Sequence, residues 1–295
     1  MSGELTYMET ELRTQPQTWA RAADLAASQS VLPERGARVA VVGCGTSWFI
    51  AQAYATLRER SGAGITDAFS ASEMPDRDYD AIVALTRSGT TTEVLQLVER
   101  MKGRTKLIGV VGDDTSPLPG MVDAAITMPF ADERSVVQTR FATTALALFR
   151  ASLGEDLTPV IADGERAIAE ELDAELVNAE QYTFIGTGWS IGLTHEAALK
   201  MREASQSWTE SYPAMDYRHG PIAIAAPGRV TWSFGEAPAG LAEEVARTGA
   251  RFEQSGLDPM ADLVRAQRVA LARAVARGLN PDLPRNLTRA VILDA

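Results

Sequence analysis

Short, continuous apolar runs alternate with longer stretches of helical period along most of this chain. Arg38–Val42 is the first such run; Gly43 and Gly45 close it, and Ser47 opens a helical stretch from Trp48 to Arg60. Ala81–Leu85 repeats the plan, followed by Thr86-Arg87-Ser88-Gly89-Thr90-Thr91-Thr92 and an amphipathic stretch, Glu93 to Met101. Leu107–Val111 and Ala124–Met128 are further runs. Strands apolar at every position are buried on both faces, so the pattern predicts a parallel sheet with helices on both sides. A lead-in helix, Leu12 to Ser28, is expected before the Pro33–Gly36 break, and helical stretches at Val136–Arg150 and Val160–Ala179 come after the fourth run.

The plan starts again at Tyr182–Ile185, with Gly186-Thr187-Gly188 as the turn and a helix through Ile191–Ser207. Runs at Ile222–Ala226 and Arg229–Phe234, with helices at Leu241–Phe252 and Asp262–Arg277, complete a second, smaller α/β unit. A turn-rich stretch from Asn280 leads to a last apolar run, Ala290–Leu293. The expected division is 1–155, 156–280 and a tail, 281–295.

Composition narrows the chemistry. The 295 residues carry 28 Lys and Arg against 39 Asp and Glu, a net charge of −11, which argues against nucleic-acid and anionic-membrane partners. Any anionic ligand must be held locally. The single cysteine, Cys44, excludes an internal disulfide framework and multi-cysteine metal sites, and suits a reducing cytoplasm. The first residues are polar without the apolar core of a signal peptide, and no window approaches the roughly 18 uninterrupted apolar residues of a spanning helix. With two histidines far apart, no metal or other cofactor is expected.

In an open parallel sheet, ligands bind outside the carboxyl ends of the strands. Gly43-Cys44-Gly45-Thr46-Ser47 and Thr86-Arg87-Ser88-Gly89-Thr90-Thr91 fall there, with glycines for tight turns and hydroxyls suited to a tetrahedral oxyanion. Taken singly, each loop also reads as an ordinary capped turn; two on successive strands favour a phosphomonoester. Neither has dinucleotide spacing or a Walker lysine.

Glu196, Lys200 and Glu203 are four and three apart, one face of a helix. Such spacing also suits a solvated surface, but this helix starts just after a strand and a Gly-Thr-Gly turn, where ligand-binding helices start in α/β sheets. His219 lies among charges in Asp216-Tyr217-Arg218-His219-Gly220-Pro221, and an imidazole is a side chain suited to moving a sugar-ring proton. His195 faces elsewhere, and Cys44 reads as a packed turn residue.

At these residues the chain resembles the sugar isomerase (SIS) domain family, in particular its tandem form, the isomerase half of glucosamine-6-phosphate synthase and stand-alone relatives. The resemblance runs from Glu9-Thr10-Glu11-Leu12 through Cys44-Gly45-Thr46-Ser47 and Ser88-Gly89-Thr90-Thr91. It is densest at Glu196-Ala197-Ala198-Leu199-Lys200-Met201-Arg202-Glu203 and His219-Gly220-Pro221, and closes at Pro284-Arg285-Asn286-Leu287. It implies two flavodoxin-like subdomains, each a parallel sheet flanked by helices, with a C-terminal tail over the site. It further implies that Ser47, Thr86, Arg87, Ser88 and Thr91 hold a hexose 6-phosphate, aided by Cys44, Gly45 and Thr46. Glu203 would take the C2 proton, His219 would open the ring, in a homodimer from the neighbouring subunit, and Lys200 and Glu196 would orient hydroxyls and steady the enediolate.

Three departures modify that expectation. The resemblance starts without a glutaminase domain or an N-terminal cysteine nucleophile, so glutamine amidotransfer is not expected. Arg289 stands where the synthase pattern has a Schiff-base lysine, and a guanidinium can act only as a cation toward substrate. Ser135–Arg140 looks closer to the deaminase and deglycase relatives, and Thr86-Arg87 replaces the Ser-Gln pair of the synthase loop. The expected activity is therefore ring opening and C2 proton abstraction on an (N-acetyl)hexosamine 6-phosphate or related hexose 6-phosphate, of isomerase or deaminase type. The alternatives are a dehydratase (lyase) that eliminates the C3 hydroxyl and a non-catalytic sugar-phosphate sensor.

Overall fold

The structure, a computed structural model, describes residues 5–293. Two compact units divide the chain. The first comprises residues 17–134 and 138–157, joined by the tail from Thr288 onward; the second takes residues up to Pro16, 135–137 and 158–287.

In the first unit five parallel strands, β1 (Val39–Gly43), β2 (Thr66–Ser70), β3 (Ala81–Thr86), β4 (Lys106–Val111) and β5 (Ala124–Thr127), lie in the order β2-β1-β3-β4-β5. β1 and β3 are buried at every position, as continuous apolar runs require. Helices α3 (Thr46–Arg60), α4 (Thr92–Met101) and α5 (Arg140–Ser152) cover the sheet. α4 shows how: Val94, Leu97, Val98 and Met101, one helical stripe, are buried with Ala40, Val42, Ile82 and Ala84 of the strands.

The second unit has four parallel strands, β6 (Gln181–Gly186), β7 (Thr209–Pro213), β8 (Arg229–Phe234) and β9 (Arg251–Gln254), in the order β7-β6-β8-β9. Its helices include α8 (Ser190–Ser205) and α10 (Pro259–Ala276), which pack together. α1 (Tyr7–Arg13) packs on α10, and Asp282 accepts from the Tyr7 and Met8 amides, tying this end of the chain down.

Five local expectations change. The lead-in stretch is two helices, α1 and α2 (Gln15–Ser28), because Thr14 ends the first and Pro16 sits in the first turn of the second. The expected helix 136–150 begins only at Arg140, since Glu133 (2 % exposed) reaches over to accept from the amides of Thr139, Arg140 and Phe141. Val160–Ala179 breaks into α6 (Thr158–Ala169) and α7 (Ala174–Asn178), the second capped by Asp173 accepting from the Glu175 amide at 2.8 Å. The run at Ile222–Ala226 forms no strand; Pro221–Ile224 is a 3₁₀ turn. The expected helix 241–252 stops at Arg247, and Arg251–Gln254 pairs with β8 as β9. Among the described residues no helix is long and apolar enough to cross a membrane.

Candidate active site

The connections out of β1 and β3 leave to opposite sides of the first sheet, so the crevice between these strands is the switch point at which doubly wound sheets bind ligands. Both candidate phosphate loops open there. Gly45 has φ +54° and starts α3; a Cβ on Gly43 would lie 2.7 Å from Ser47 Cβ and 3.0 Å from the Leu85 carbonyl oxygen. Gly89, at φ +63°, lies so close to Ser116 that a Cβ would come within 1.9 Å of its Oγ. The two loops are thus drawn tight by glycines that no other residue can replace without movement.

The hydroxyls are aligned as spare donors. Thr86 Oγ1 accepts from the Gly89 amide at 3.3 Å, and Ser88 Oγ accepts from the Thr90 amide and hydroxyl at 3.3 and 3.0 Å. Each keeps its own O–H proton for another acceptor. Among the described residues the Ser47 hydroxyl makes no hydrogen bond, and Thr91, at the start of α4, does not use its hydroxyl to cap the helix. Ser47, Thr86 and Ser88 are buried. Arg87, also buried, turns its guanidinium to the tail: Nη2 donates to the Arg289 carbonyl at 2.6 Å.

The tail settles on the same loops. Thr92, at the first turn of α4, donates its amide to the Val291 carbonyl at 3.1 Å, and Leu293 donates back to Thr92 Oγ1 at 2.9 Å. Arg289 pairs with Asp132 at 2.5 Å and Asp113 at 3.8 Å, and its Nε donates to the Glu133 carbonyl. Asp132 and Asp113, which sequence reasoning missed, lie over 150 residues from Arg289, and no spacing rule points to such a contact. Cys44 packs against the first core, and burial, with the Glu93 charge behind it, pushes its thiol up to about 11, so it stays protonated at neutral pH.

In the second unit α8 brings Glu196, Lys200 and Glu203 together. Lys200 Nζ is 2.5 Å from Glu203 Oε2 and 3.5 Å from Glu196 Oε1. Lys200 and Glu196 are 1 % and 0 % exposed and Glu203 18 %, so this is no solvated charge stripe: two charges are fully enclosed and one carboxylate keeps access to solvent. Met201 and Ala197, on the same helix, are buried in the core beside them. His219 is exposed at the end of the Asp216–His219 turn, and among the described residues its ring makes no hydrogen bond. His195 is a different kind of histidine: half-buried, 2.8 Å from Ser211 Oγ, and lowered in pKa by burial and then by the Arg202 charge. Among the described residues no group of three or more His, Cys, Asp or Glu side chains is placed to hold a metal ion.

The SIS domain model matches residues 34–153. The chain is 26% identical to a glutamine–fructose-6-phosphate aminotransferase (isomerizing) of Nostoc sp. over 87% of its own length and 52% of that protein's. It is 29% identical to the enzyme of the same name from Aeropyrum pernix, over 87% and 51%. The chain thus spans about half the length of the curated relatives it matches. The structure superposes on glucosamine-6-phosphate deaminase from Thermotoga maritima with a TM-score of 0.85 at 25% identity, covering 98% of this chain and 100% of that one. The fold is shared with tagatose-6-phosphate ketose/aldose isomerase from Escherichia coli, with a TM-score of 0.81 at 17% identity over 94% and 95% of the two chains. The SIS domain model thus covers residues 34–153, and the fold of the chain is shared from end to end with these solved structures.

Proposed function

We propose that this chain is an enzyme of a hexose 6-phosphate, an amino sugar 6-phosphate first of all, that opens the sugar ring and moves the C2 proton. The observation that carries the reading is the enclosed Glu196–Lys200–Glu203 cluster. Burying charges is costly, and a cluster that keeps one carboxylate open beside a buried ammonium is suited to take a proton while negative charge grows on a neighbouring oxygen. Glu203 takes the C2 proton from the open-chain aldose, the C1 carbonyl becomes an enediol oxygen, and Lys200 offsets its charge. Return of the proton to C1 gives the ketose. With an amine at C2 the product is an imine that water hydrolyses, releasing ammonia; with an acetamido group, loss of the C3 hydroxyl is the competing course.

The remaining assignments follow the same reading. Ser47, Thr86, Ser88 and Thr91 donate hydroxyls to the 6-phosphate, with Gly45, Thr46 and the Cys44 backbone shaping the turn. Arg87 and Arg289 act on the tail that closes the loops, Arg289 having no amine to form a Schiff base. His219, exposed and unengaged, opens the ring of a substrate on a second copy of the chain in a homodimer, in the cytoplasm. The names of the relatives, aminotransferase (isomerizing) and deaminase, support the substrate class.

Proton NMR in deuterium oxide tests the proposal, with glucosamine 6-phosphate, N-acetylglucosamine 6-phosphate and fructose 6-phosphate in turn. Deuterium entry at C2, with a ketose, ammonia or an unsaturated product, supports it and separates the branches. Saturable binding without exchange for all three sugars overturns it in favour of a sensor.

A further inference from the structure

We propose that a cavity of the first unit, bounded by Arg35 and Arg58, binds a small phosphate-type oxyanion, separately from the loops at β1 and β3. The cavity has a volume of about 240 Å³ and is lined also by Gln29, Ser30, Tyr54 and Ser152. Among the described residues no acidic side chain lines it, in a chain with 39 acids against 28 bases.

Arg58 is 1 % exposed, and its guanidinium is spent on neutral groups. Nη1 donates to the carbonyls of Ala37 and Gly64 and to Thr66 Oγ1, and Nη2 to the Glu34 carbonyl. These bonds explain why it can be buried, but none cancels its charge, and among the described residues it has no carboxylate within ion-pair distance. Burial, and more weakly the charge of Arg35, draw its pKa below the ordinary arginine value; the Tyr54 hydroxyl beside it and, least, Glu59 act the other way, and Glu59 directs Oε1 to the Thr66 amide. Arg35 likewise contacts a neutral group, donating to the Ser61 carbonyl at 2.6 Å. Two like charges facing one cavity repel unless an anion lies between them, and planar guanidinium groups match the oxygens of phosphate in pairs.

The other lining groups complete the ligand's shell. Gln29 uses its Oε1 to accept from the Val31 and Leu32 amides, which leaves its amide N–H groups as donors. The Tyr54 hydroxyl adjoins Arg58 and is pushed up to about 12 by burial, so it stays a neutral donor. The volume lies below the roughly 300–1,000 Å³ of sites for drug-sized ligands, which limits the occupant to a small anion or the end of a phosphomonoester. Ser47 and Arg58 are eleven residues apart on α3, about 16 Å at 1.5 Å per residue, so this site and the β1/β3 loops lie at opposite ends of one helix.

Calorimetric titration with inorganic phosphate tests the proposal on the wild type, Arg35→Gln, Arg58→Gln and the loop variant Thr86→Val/Ser88→Ala. Binding that survives in the loop variant and is weakened about tenfold or more in Arg35→Gln is the expected result. Arg35 is exposed, so its variant tests the site even where Arg58→Gln does not fold. An Arg35→Gln isotherm that superimposes on the wild type, or loss of all phosphate binding in the loop variant, overturns the proposal without touching the C2 chemistry. Glycerol 3-phosphate run in parallel separates the sources: equal affinity identifies a monoester end, phosphate alone a free ion. Equal binding of acetate overturns the phosphate assignment.

Discussion

The two sheets repeat one device and use it differently. In each, the strand ahead of the switch point ends in a glycine followed four residues later by a serine at the start of a helix: Gly43 and Ser47 after β1, Gly186 and Ser190 after β6. Both glycines are hemmed in by that serine, with a Cβ landing 2.7 Å from Ser47 Cβ or 2.6 Å from Ser190 Oγ. The hydroxyls differ. Ser190 Oγ accepts from the Thr187 amide at 3.0 Å and lies 2.9 Å from the Phe234 carbonyl at the end of β8, so it stitches the β6/β8 crevice shut. Ser47 makes no such bond among the described residues, so the β1/β3 crevice is open in the sense that no serine bond bridges it, with the hydroxyls of Thr86 and Ser88 beside it. Farther along the second helix lies the enclosed cluster of Glu196, Lys200 and Glu203. On the function proposed above, one copy of the device would receive an anion and the other would hold the helix of Glu196, Lys200 and Glu203 in place.

The largest effect that tests this division is Glu203→Gln. We expect the C2 exchange rate to fall by on the order of hundreds-fold or more, since the amide cannot take the proton, while the affinity for a sugar phosphate changes little. Equal loss of binding would break the separation of anion site and proton-transfer helix.

The glycines come next. Gly43→Ala meets backbone, Ser47 C at 2.8 Å and Leu85 O at 3.0 Å, and the helix start must move; a loss of about 1–3 kcal/mol is expected in denaturant unfolding. Gly186→Ala first meets the Ser190 hydroxyl, which can rotate away by giving up its bonds. The smaller loss should be strongly non-additive with Ser190→Ala, and additive behaviour would show that the stitch is not what confines Gly186.

How much of this was legible in the sequence follows from where each residue lies. Central strands announce themselves: β1, β3 and β4 are continuous apolar runs, and β6 and β8, buried along nearly all their length, are rich enough in aromatic and β-branched residues to be predicted too. β2 (Thr-Asp-Ala-Phe-Ser) and β7 (Thr-Glu-Ser-Tyr-Pro) give no such signal, and β9 falls inside the expected helix 241–252; all three are edge strands, half-exposed and polar, with no continuous apolar run. Of the candidate site, the spacing of Glu196, Lys200 and Glu203 gave a shared helix face because helical period is local. Their enclosure depends on packing against elements remote in sequence, and the same holds for the pairing of Arg289 with Asp132. The difference between Ser47 and Ser190 was equally hidden, since it lies in a hydrogen bond to Phe234, 44 residues away.

The serines themselves give a smaller and reciprocal contrast. Ser190→Ala leaves the buried Phe234 carbonyl and the Thr187 amide short of a partner and should cost about 1–2 kcal/mol of stability with little effect on phosphate-ester affinity. Ser47→Ala should be near neutral in stability but weaken that affinity about tenfold. Matching effects from the two substitutions in either measurement would erase the distinction between open and closed crevices.

The smallest effect concerns the turn beneath the open crevice. Gly112 and Asp113 donate their amides to the Arg87 carbonyl, so this turn supports the Thr86–Thr91 loop. The Thr115 hydroxyl, 2.6 Å from Asp113 Oδ1, holds the Asp113 carboxyl below its ordinary value of 3.8, with the Thr115 amide and Arg289 adding to the effect. A carboxyl depressed on folding contributes stability above the unfolded value and loses it as pH falls through the lower folded value. Thr115→Val should therefore be less stable than the wild type at neutral pH, with the gap closing below about pH 4 as Asp113 takes up its proton in both proteins. Urea unfolding from pH 7 to pH 3 reads this directly. A gap that stays constant across that range would mean that Thr115 supports the loop by packing alone, and that the charge on Asp113 contributes nothing to keeping the first crevice in its open form.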